Sequence, residues 1–339
     1  VKLTLHQRDL PLRYPFTLSR GTTTVQPSLF VELEQDGFHG YGEAGANDHY
    51  GVTVEGMAAL IEKHRAAIEV ESLAEPAALW EKFRPLLGGS PFAQSAVDMA
   101  CHDLWGKAQG QPIWKLWGLN LDDLPVTCYT IGIDAIDAMV AKLREFARWP
   151  VYKIKLGTVH DIEIVRTLRQ YTEAPFRVDV NEGWLVAETL INSLMLRKLG
   201  VEFIEQPLPA GDWKGMAEVF EGSSLPILAD ESCGVEADVD RCVGFFHGIN
   251  IKLVKCGGMT PARRMIARAK ELGLKVMMGC MTESSVGISA IAQFLPLLDY
   301  VDMDGALLLA QDAATGVTID RGRVSFPDEN GCGVRFLDA

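Results

Sequence analysis

Eight short apolar runs follow one another after Pro125: TCYTIGI, YKIKLG, FRVDVN, EFIEQPL, PILADE, GINIKLVK, KVMMGCM and YVDMDG. Strands that pair in parallel need connections of a dozen or more residues, usually helical, and the intervals between these runs have that length. The pattern therefore predicts a closed parallel barrel rather than an antiparallel meander. An open, doubly wound sheet is the alternative, because βα alternation suits both.

Barrel strands are covered on both faces and should be almost wholly apolar. These are not. Lys153 and Lys155 stand in the second run, Asp179 in the third, Glu205 in the fourth, Asp230 and Glu231 in the fifth, Lys252 and Lys255 in the sixth, Asp302 and Asp304 in the eighth. A solvated strand end accounts for any one of them. It does not account for base, acid, acid, acid, base on consecutive strands, in an architecture whose chemistry sits at the C-terminal strand ends. The steps are regular: 24 residues from Lys155 to Asp179, 26 to Glu205, 25 to Asp230 and 22 to Lys252, each one βα unit.

Three carboxylates converging from neighbouring strands repel one another unless protonated or neutralised by a cation. A hard, oxygen-seeking ion such as Mg²⁺ resolves the conflict, whereas zinc would be accompanied by His or Cys. Lys153 and Lys155 are two apart on a strand and leave the same face. Neighbouring ammonium groups and a metal lower each other's pKa, which would leave a neutral amine as base near neutral pH. Lys252 would lie across the barrel mouth from Lys155. Two bases flanking one carbon are what a stereochemical inversion requires.

The first 35 residues alternate as two strands, LTLHQRDL and LFVELEQ, around a polar loop from Thr17 to Gln26. A Gly-rich segment, Gly37 to Gly51, precedes helix-period stretches at 53–70, 76–86 and 91–109. With 339 residues, 48% of them hydrophobic, the chain can bury a barrel and a smaller second unit. A formal charge of -13 disfavours nucleic acid and anionic membrane as partners. The odd number of Cys, seven without CxxC spacing, indicates neither a disulfide framework nor a zinc site, and suggests a reducing cytoplasm. The opening VKLTLHQRDL lacks a signal-peptide core, and no stretch approaches the roughly 18 apolar residues of a membrane span.

The segments KIKLG, DVN, EQPL, ADES, NIKLVKCGG and DMDG, with GYGEA at 40–44 and AVDMACHDLWGKAQGQPIWKLWG at 96–118, together resemble the muconate-lactonizing subgroup of the enolase superfamily. The resemblance runs over essentially the whole chain. It implies an α/β fold, a modified TIM barrel (β/α)7β with an α+β capping domain: residues 1–120 as cap, 125–306 as barrel, 307–339 completing the cap. It implies one Mg²⁺ per subunit, replaceable by Mn²⁺, on Asp179, Glu205 and Asp230, with Lys155 and Lys252 facing opposite sides of a substrate α-carbon. Such sites use a Lys or His base with Mg²⁺ stabilising an enediolate.

Within the subgroup the choice lies among dipeptide epimerases, o-succinylbenzoate synthases, N-succinylamino acid racemases and cycloisomerases. In dipeptide epimerases an Asp-x-Asp matching Asp302 and Asp304 binds the free α-ammonium of the substrate, a cation that the other substrates lack. The competing reading of DMDG makes its acids turn formers. Arg20, in LSRGTTT, is similar to the loop arginine that holds the Glu side chain in Ala-Glu epimerases, although its distance from the preceding Pro-Phe differs by one; an exposed loop arginine is the alternative. The resemblance thus implies an enzyme that inverts the C-terminal residue of an L-Ala-L-Glu-like dipeptide; the cysteine usage places it in the cytoplasm, and a homo-oligomer is compatible with the sequence.

Lys153 is assigned to substrate binding, as are Cys280 and Met281 in GCMTES at the end of the seventh run. Cys280 as a nucleophile is disfavoured, since no His is near in sequence to activate it. Asn181, Glu231, Ser232 and Asn250 are read as partners behind the site or as strand-end solvation, and Lys255, out of phase with Lys252, as structural. KCGG suits helix capping as well as an anion-binding loop.

Overall fold

A computed structural model describes residues 1–18, 21–73 and 75–337. The N-terminal sheet has the order β1 (Lys2–Leu18), β2 (Gly21–Gln35), β3 (Phe38–Gly45), all antiparallel. Pairing of β1 with β2 continues to Leu18↔Gly21, so most of the stretch expected as a polar loop is strand. Its polarity reflects exposure, and Thr17 and Thr22, both good strand formers, join hydroxyls across the ladder at 2.9 Å. The register shifts between Pro11 and Phe16, on the edge strand, where a proline lacking its N–H is tolerated.

The Gly-rich segment supplies β3, and its glycines have a packing reason. Leu29, Val31 and Leu33 of β2 share a face with Gly40, Gly42 and Ala44 of β3, and the helix Pro91–Ala108 lies directly on it. A Cβ on Gly42 would stand 1.9 Å from Ala96 O, and one on Gly40 2.3 Å from Leu104 N. The opposite face presents Phe30 and Tyr41 to Phe336 near the C-terminus, with ring centroids 5.2 and 5.1 Å apart. The helices Val54–Lys63, Pro76–Leu87 and Pro91–Ala108 form where the periodicity places them. The first is capped by Thr53, and the third by Ser90 with Pro91 at its first position.

All eight apolar runs form strands of one parallel sheet, in sequential order: β4 (Tyr129–Ile131), β5 (Tyr152–Lys155), β6 (Phe176–Asp179), β7 (Val201–Glu205), β8 (Ile227–Ala229), β9 (Gly248–Ile251), β10 (Lys275–Gly279) and β11 (Tyr300–Asp302). The barrel closes where Thr127, just before β4, bridges Val301 of β11 and its hydroxyl accepts Met303 N–H at 2.9 Å. Helices fill every crossover except β8 to β9, where two short 3-10 turns, Glu236–Asp238 and Asp240–Cys242, take that place. No α-helix follows β11 among the described residues, giving the (β/α)7β form of the barrel. The cap helix is tied to the barrel through Asp98, which accepts Thr260 N–H at 2.8 Å and its hydroxyl at 2.9 Å. All seven cysteines are free, and no helix is long and apolar enough to cross a membrane among the described residues.

The sheet-to-helix approach at Gly42 gives a direct test. Gly42→Ala forces a methyl into the backbone of Pro91–Ala108, and overpacking of this kind costs roughly 2–3 kcal/mol. Denaturant unfolding should show that loss, while Ala44→Gly on the same face costs only about 1 kcal/mol.

Candidate active site

The strand register assembles the charged residues. Lys155 pairs with Asp179 across β5 and β6, and Asp179 with Glu205 across β6 and β7, while Asp230 follows directly on β8. Asp179 and Glu205 thus stand side by side, and Asp230, two residues beyond the Leu228 that pairs with Glu205, joins them at the strand ends. Oxygens of Asp179, Glu205 and Asp230 lie within 4.8 Å of one another, and all three residues are buried. The chain must turn away at once to keep them there. Asn181 (φ 47°), Glu182 (φ 68°) and Gln206 (φ 35°) take left-handed conformations immediately beyond the acids. Such residues cost of order 1–3 kcal/mol each unless their surroundings hold them. Here Glu182 N–H donates to Gln206 O and Gln206 N–H to Leu228 O, both at 2.9 Å.

Lysines neutralise the row. Lys153 Nζ is 3.0 Å from Asp179 Oδ2, 2.8 Å from Glu205 Oε2 and 2.6 Å from Asp302 Oδ2. Lys155 donates to Asp179 Oδ2 at 2.6 Å and to Asn181 Oδ1 at 3.3 Å, and Lys252 to Asp230 Oδ2 at 2.8 Å. Burial raises the pKa of Asp179 and Asp230, but the adjacent ammonium groups override it and hold both below the usual carboxylate range. Glu205 is different: burial first, then the charge of Asp179, pushes it up to about 7. Its Oε2 has no hydrogen-bond partner; the 2.8 Å approach of Lys153 is an ion contact without hydrogen-bond geometry. An under-satisfied buried oxygen within a row of hard carboxylate donors fits a divalent cation such as Mg²⁺.

The expectation that Lys153 and Lys155 depress one another is corrected for Lys153. Burial does lower Lys153 and Lys252, but the carboxylates they face outweigh it and raise both. Their nearest charged neighbours are acids, not each other. β5 and β9 are four strands apart in an eight-stranded barrel, so Lys155 and Lys252 stand on opposite sides of its mouth.

Asp302 ends β11 and Asp304 follows it, both at the barrel seam. Asp304 accepts Thr130 N–H at 2.6 Å and its hydroxyl at 3.1 Å, and Asp302 accepts the Cys128 thiol at 3.2 Å. Asp304 stands before the 3-10 turn Gly305–Leu308 without capping it, so the turn-former reading of DMDG fails. Its carboxyl is pushed up to about 7 by burial and then by Asp302, an environment that a cation would relieve. Cys280 joins these acids, its Sγ and one oxygen of each within 4.8 Å of one another. Burial and the two acids keep its thiol protonated, against a nucleophilic role.

Lys153, Lys155, Lys252, Asn181, Glu231, Cys280, Met281, Asp302 and Asp304 all line one cavity of about 420 Å³. The N-terminal unit adds Thr22, Thr23 and Val25 from β2, and Asn47, Asp48, His49 and Tyr50 beyond β3. Arg20 lies outside the described residues. Asn250 is behind the site, donating to Glu205 Oε1 at 2.7 Å, and Asn181 Nδ2 reaches Glu231 Oε1 at 3.4 Å.

Sequence reasoning missed three supports, Gln206, Thr130 and Cys128, and gave Lys255 only a structural role. Gln206 Oε1 accepts the N–H groups of Asp230 and Ser232, both at 3.0 Å, which fixes the loop carrying Asp230. Thr130 and Cys128 carry no charge to single them out in TCYT. Lys255 is out of strand phase with Lys252 because the chain turns helical over Leu253–Cys256, and three residues along a helix return to the same side. Its ammonium binds Asp230 Oδ1 and the Asp230 carbonyl. Gly257, in the left-handed conformation (φ 94°), caps that helix, and its carbonyl accepts Trp80 Nε1–H; KCGG is a helix end packed on the cap.

A closed (β/α)7β barrel with an acid from each of three successive strands, flanked by lysines, defines an enolase-type site. The chain belongs to that superfamily: residues 1–118 match the mandelate racemase / muconate lactonizing enzyme N-terminal domain, and residues 136–339 the enolase C-terminal domain-like family. It is 54% identical to the L-Ala-D/L-amino acid epimerase of Flavobacterium johnsoniae, over 99% of this chain and 100% of that one. Among solved structures, a substrate-liganded L-Ala-D/L-Glu epimerase from Bacillus subtilis superposes with a TM-score of 0.92 at 28% identity, covering 98% of each chain. A dipeptide epimerase from Methylococcus capsulatus, complexed with Mg and the dipeptide L-Arg-D-Lys, superposes with a TM-score of 0.90 at 31% identity, covering 99% of each.

Lys255 offers the test of this electrostatic account. Lys255→Met leaves Asp230 short of a buried cationic partner, and breaking such a pair costs about 3 kcal/mol. Chemical denaturation in the presence of chelator should show that loss; an unchanged midpoint would mean that Lys255 does not neutralise Asp230.

Proposed function

We propose that this protein is a Mg²⁺-dependent dipeptide epimerase that inverts the α-carbon of the C-terminal residue of an L-Ala-L-Glu-like dipeptide. The observation that carries the reading is one cavity lined by Lys155 and Lys252 on opposite sides and by Asp302 and Asp304 at the seam, with the acid row bonded to those same lysines. Asp179, Glu205 and Asp230 hold the ion, with Asn250 and Lys255 orienting two of them. When bound, Mg²⁺ supplies positive charge to the substrate carboxylate, which makes the adjacent α-hydrogen more acidic.

The chain's own groups do the rest. Lys155 removes the α-proton from one face and Lys252 delivers a proton to the other; for the opposite diastereomer the roles exchange. Lys153, set between the acid row and Asp302, places positive charge over the carboxylate side of the substrate. In a dipeptide the carbon beside the carboxylate belongs to the C-terminal residue, and the free ammonium lies farther out, at Asp302 and Asp304. Charge-assisted hydrogen bonds there are worth roughly 1.5–3 kcal/mol each. Cys280 and Met281 form the wall beside the ammonium, and the rim bearing Thr22, Thr23, His49 and Tyr50 faces the side chain of the inverted residue. Residues 1–120 and 307–339 then act as the cap that shapes this rim over the barrel of 125–306. The 54% identity to an L-Ala-D/L-amino acid epimerase supports alanine at the amino-terminal position.

Pooled L,L-dipeptides incubated with enzyme and Mg²⁺ in D₂O should each gain a single deuterium, read by mass spectrometry. Chelator should abolish the exchange and Mg²⁺ or Mn²⁺ restore it. N-acetylated dipeptides should exchange at least about 100-fold more slowly, from the lost ammonium contacts. Exchange confined to N-succinylamino acids would refute the substrate assignment. Full activity after complete metal removal would refute the metal site.

A further inference from the structure

Glu43 and Glu283 are buried carboxyls that take no part in the proposed chemistry. Glu43 comes from β3 and is 1% exposed; its oxygens accept Ser284 N–H at 3.0 Å, Gly287 N–H at 3.1 Å and the Ser284 hydroxyl. These donors open the helix Ser285–Ala292 that follows β10. Glu283 is 2% exposed; its Oε1 accepts Met281 N–H at 2.8 Å, and its Oε2 has no hydrogen-bond partner. The two carboxyls meet at Gly287. Glu43 Oε2 accepts its N–H, and a Cβ added there would stand 2.1 Å from Glu283 Oε2.

Buried carboxyls packed about one glycine do not both ionise readily. Burial first, then the charge of Glu43, pushes Glu283 up to about 8. Burial raises Glu43 to about 7 against the bonds from Ser284 and Gly287. The other charges facing the pair are Asp312, which opposes ionisation of Glu43, and Lys252, which favours ionised Glu283.

The pair stands where the two walls of the substrate cavity join. From Glu43 the chain runs on to Asn47, Asp48, His49 and Tyr50 on one wall, and the loop held by Glu283 supplies Cys280, Met281 and Thr282 to the other. Asn47 Nδ2 reaches Met281 Sδ at 3.9 Å. We propose that Glu283, packed with Glu43 about Gly287 and bonded to Met281 N–H, is a positioning residue that fixes the Cys280–Thr282 wall against the N-terminal sheet. Glu283 acts through Met281 N–H and does not itself touch the substrate. The inference rests on the dipeptide reading for its kinetic readout alone.

The sign of the pH effect follows from the raised carboxyl. Stability from keeping Glu283 neutral is fully present below the ordinary carboxyl pKa and is lost as pH rises through about 8. Ionisation within the folded enzyme sets Glu283 against Glu43 and loosens the wall, so KM should climb as pH passes through about 8.

The test compares Glu283→Gln and Glu283→Ala with the unsubstituted, Mg²⁺-loaded enzyme. The Gln variant, a permanent mimic of the neutral acid, should keep the KM of the parent at pH 7, lose the rise in KM as pH passes through about 8, and lose part of the fall in Tm between the ordinary carboxyl range and about pH 8. The Ala variant strands Met281 N–H and should raise KM about tenfold with kcat within about twofold. A Gln variant that retains the parent's pH dependence of both KM and Tm, or an Ala variant with unchanged KM, would overturn the proposal. A substrate-free arm separates this outcome from failure of the dipeptide reading. Cys280 is half-buried whereas the other six cysteines are buried, so the rate at which its thiol, held mostly protonated, is alkylated by iodoacetamide reports on the wall directly. At one pH the Ala variant should be alkylated several-fold faster than the parent and the Gln variant no faster; equal rates in all three would overturn the proposal even if no dipeptide reacts.

Discussion

Convergence of Asp179, Glu205 and Asp230 in a buried barrel mouth is the constraint to which the rest of the structure answers. Carboxylates brought within a few ångströms in a low-dielectric setting cost several kcal/mol unless compensated. The compensation is distributed: Lys153 spans Asp179, Glu205 and Asp302, Lys155 takes Asp179, and Lys252 and Lys255 share Asp230. Glu205 is the least compensated member, with only the ion contact of Lys153 and the amide of Asn250 near it. The two lysines proposed to move protons, Lys155 and Lys252, are among those that neutralise the acids, so on that proposal charge balance and catalysis share groups.

Backbone geometry serves that charge cluster. Left-handed residues after Asp179 and Glu205, and the Gln206 amide bridging to Asp230 and Ser232, hold the strand ends in an arrangement that an unassisted chain would avoid. At the seam, Asp302 and Asp304 reach back to Cys128 and Thr130, so the acids proposed to read the ammonium also help to close the barrel. The N-terminal unit is held to this frame by buried polar contacts, Asp98 of its long helix to Thr260 and Glu43 of β3 to Ser284, rather than by apolar packing alone. Substrate walls built from both units inherit their spacing from those contacts.

Much of this was legible in the sequence because strand period and βα spacing are strict. Charged residues in positions that should be apolar stand out, and one unit per step places them side by side. Less legible were features that depend on exposure or on a change of local conformation. The hairpin arm is paired although both its faces are polar, and β3 was hidden by glycines that serve a helix lying against it. Lys255 reaches Asp230 only because the strand gives way to a helical turn after Lys252. The raised pKa of Lys153 and Lys252 required knowing that each faces carboxylates more closely than it faces another lysine. Glu43 and Glu283 are 240 residues apart, and nothing local connects them.

The central claim is that Lys155 and Lys252 address opposite faces of one carbon held at the acid row. Its most direct measurement is solvent-deuterium exchange at the α-carbon of separate L,L and L,D dipeptides by Lys155→Ala and Lys252→Ala. The account predicts that neither variant epimerises, and that each exchanges only one diastereomer, a different one in each. Exchange of the same diastereomer by both variants, or epimerisation at the parent rate by either, would contradict it.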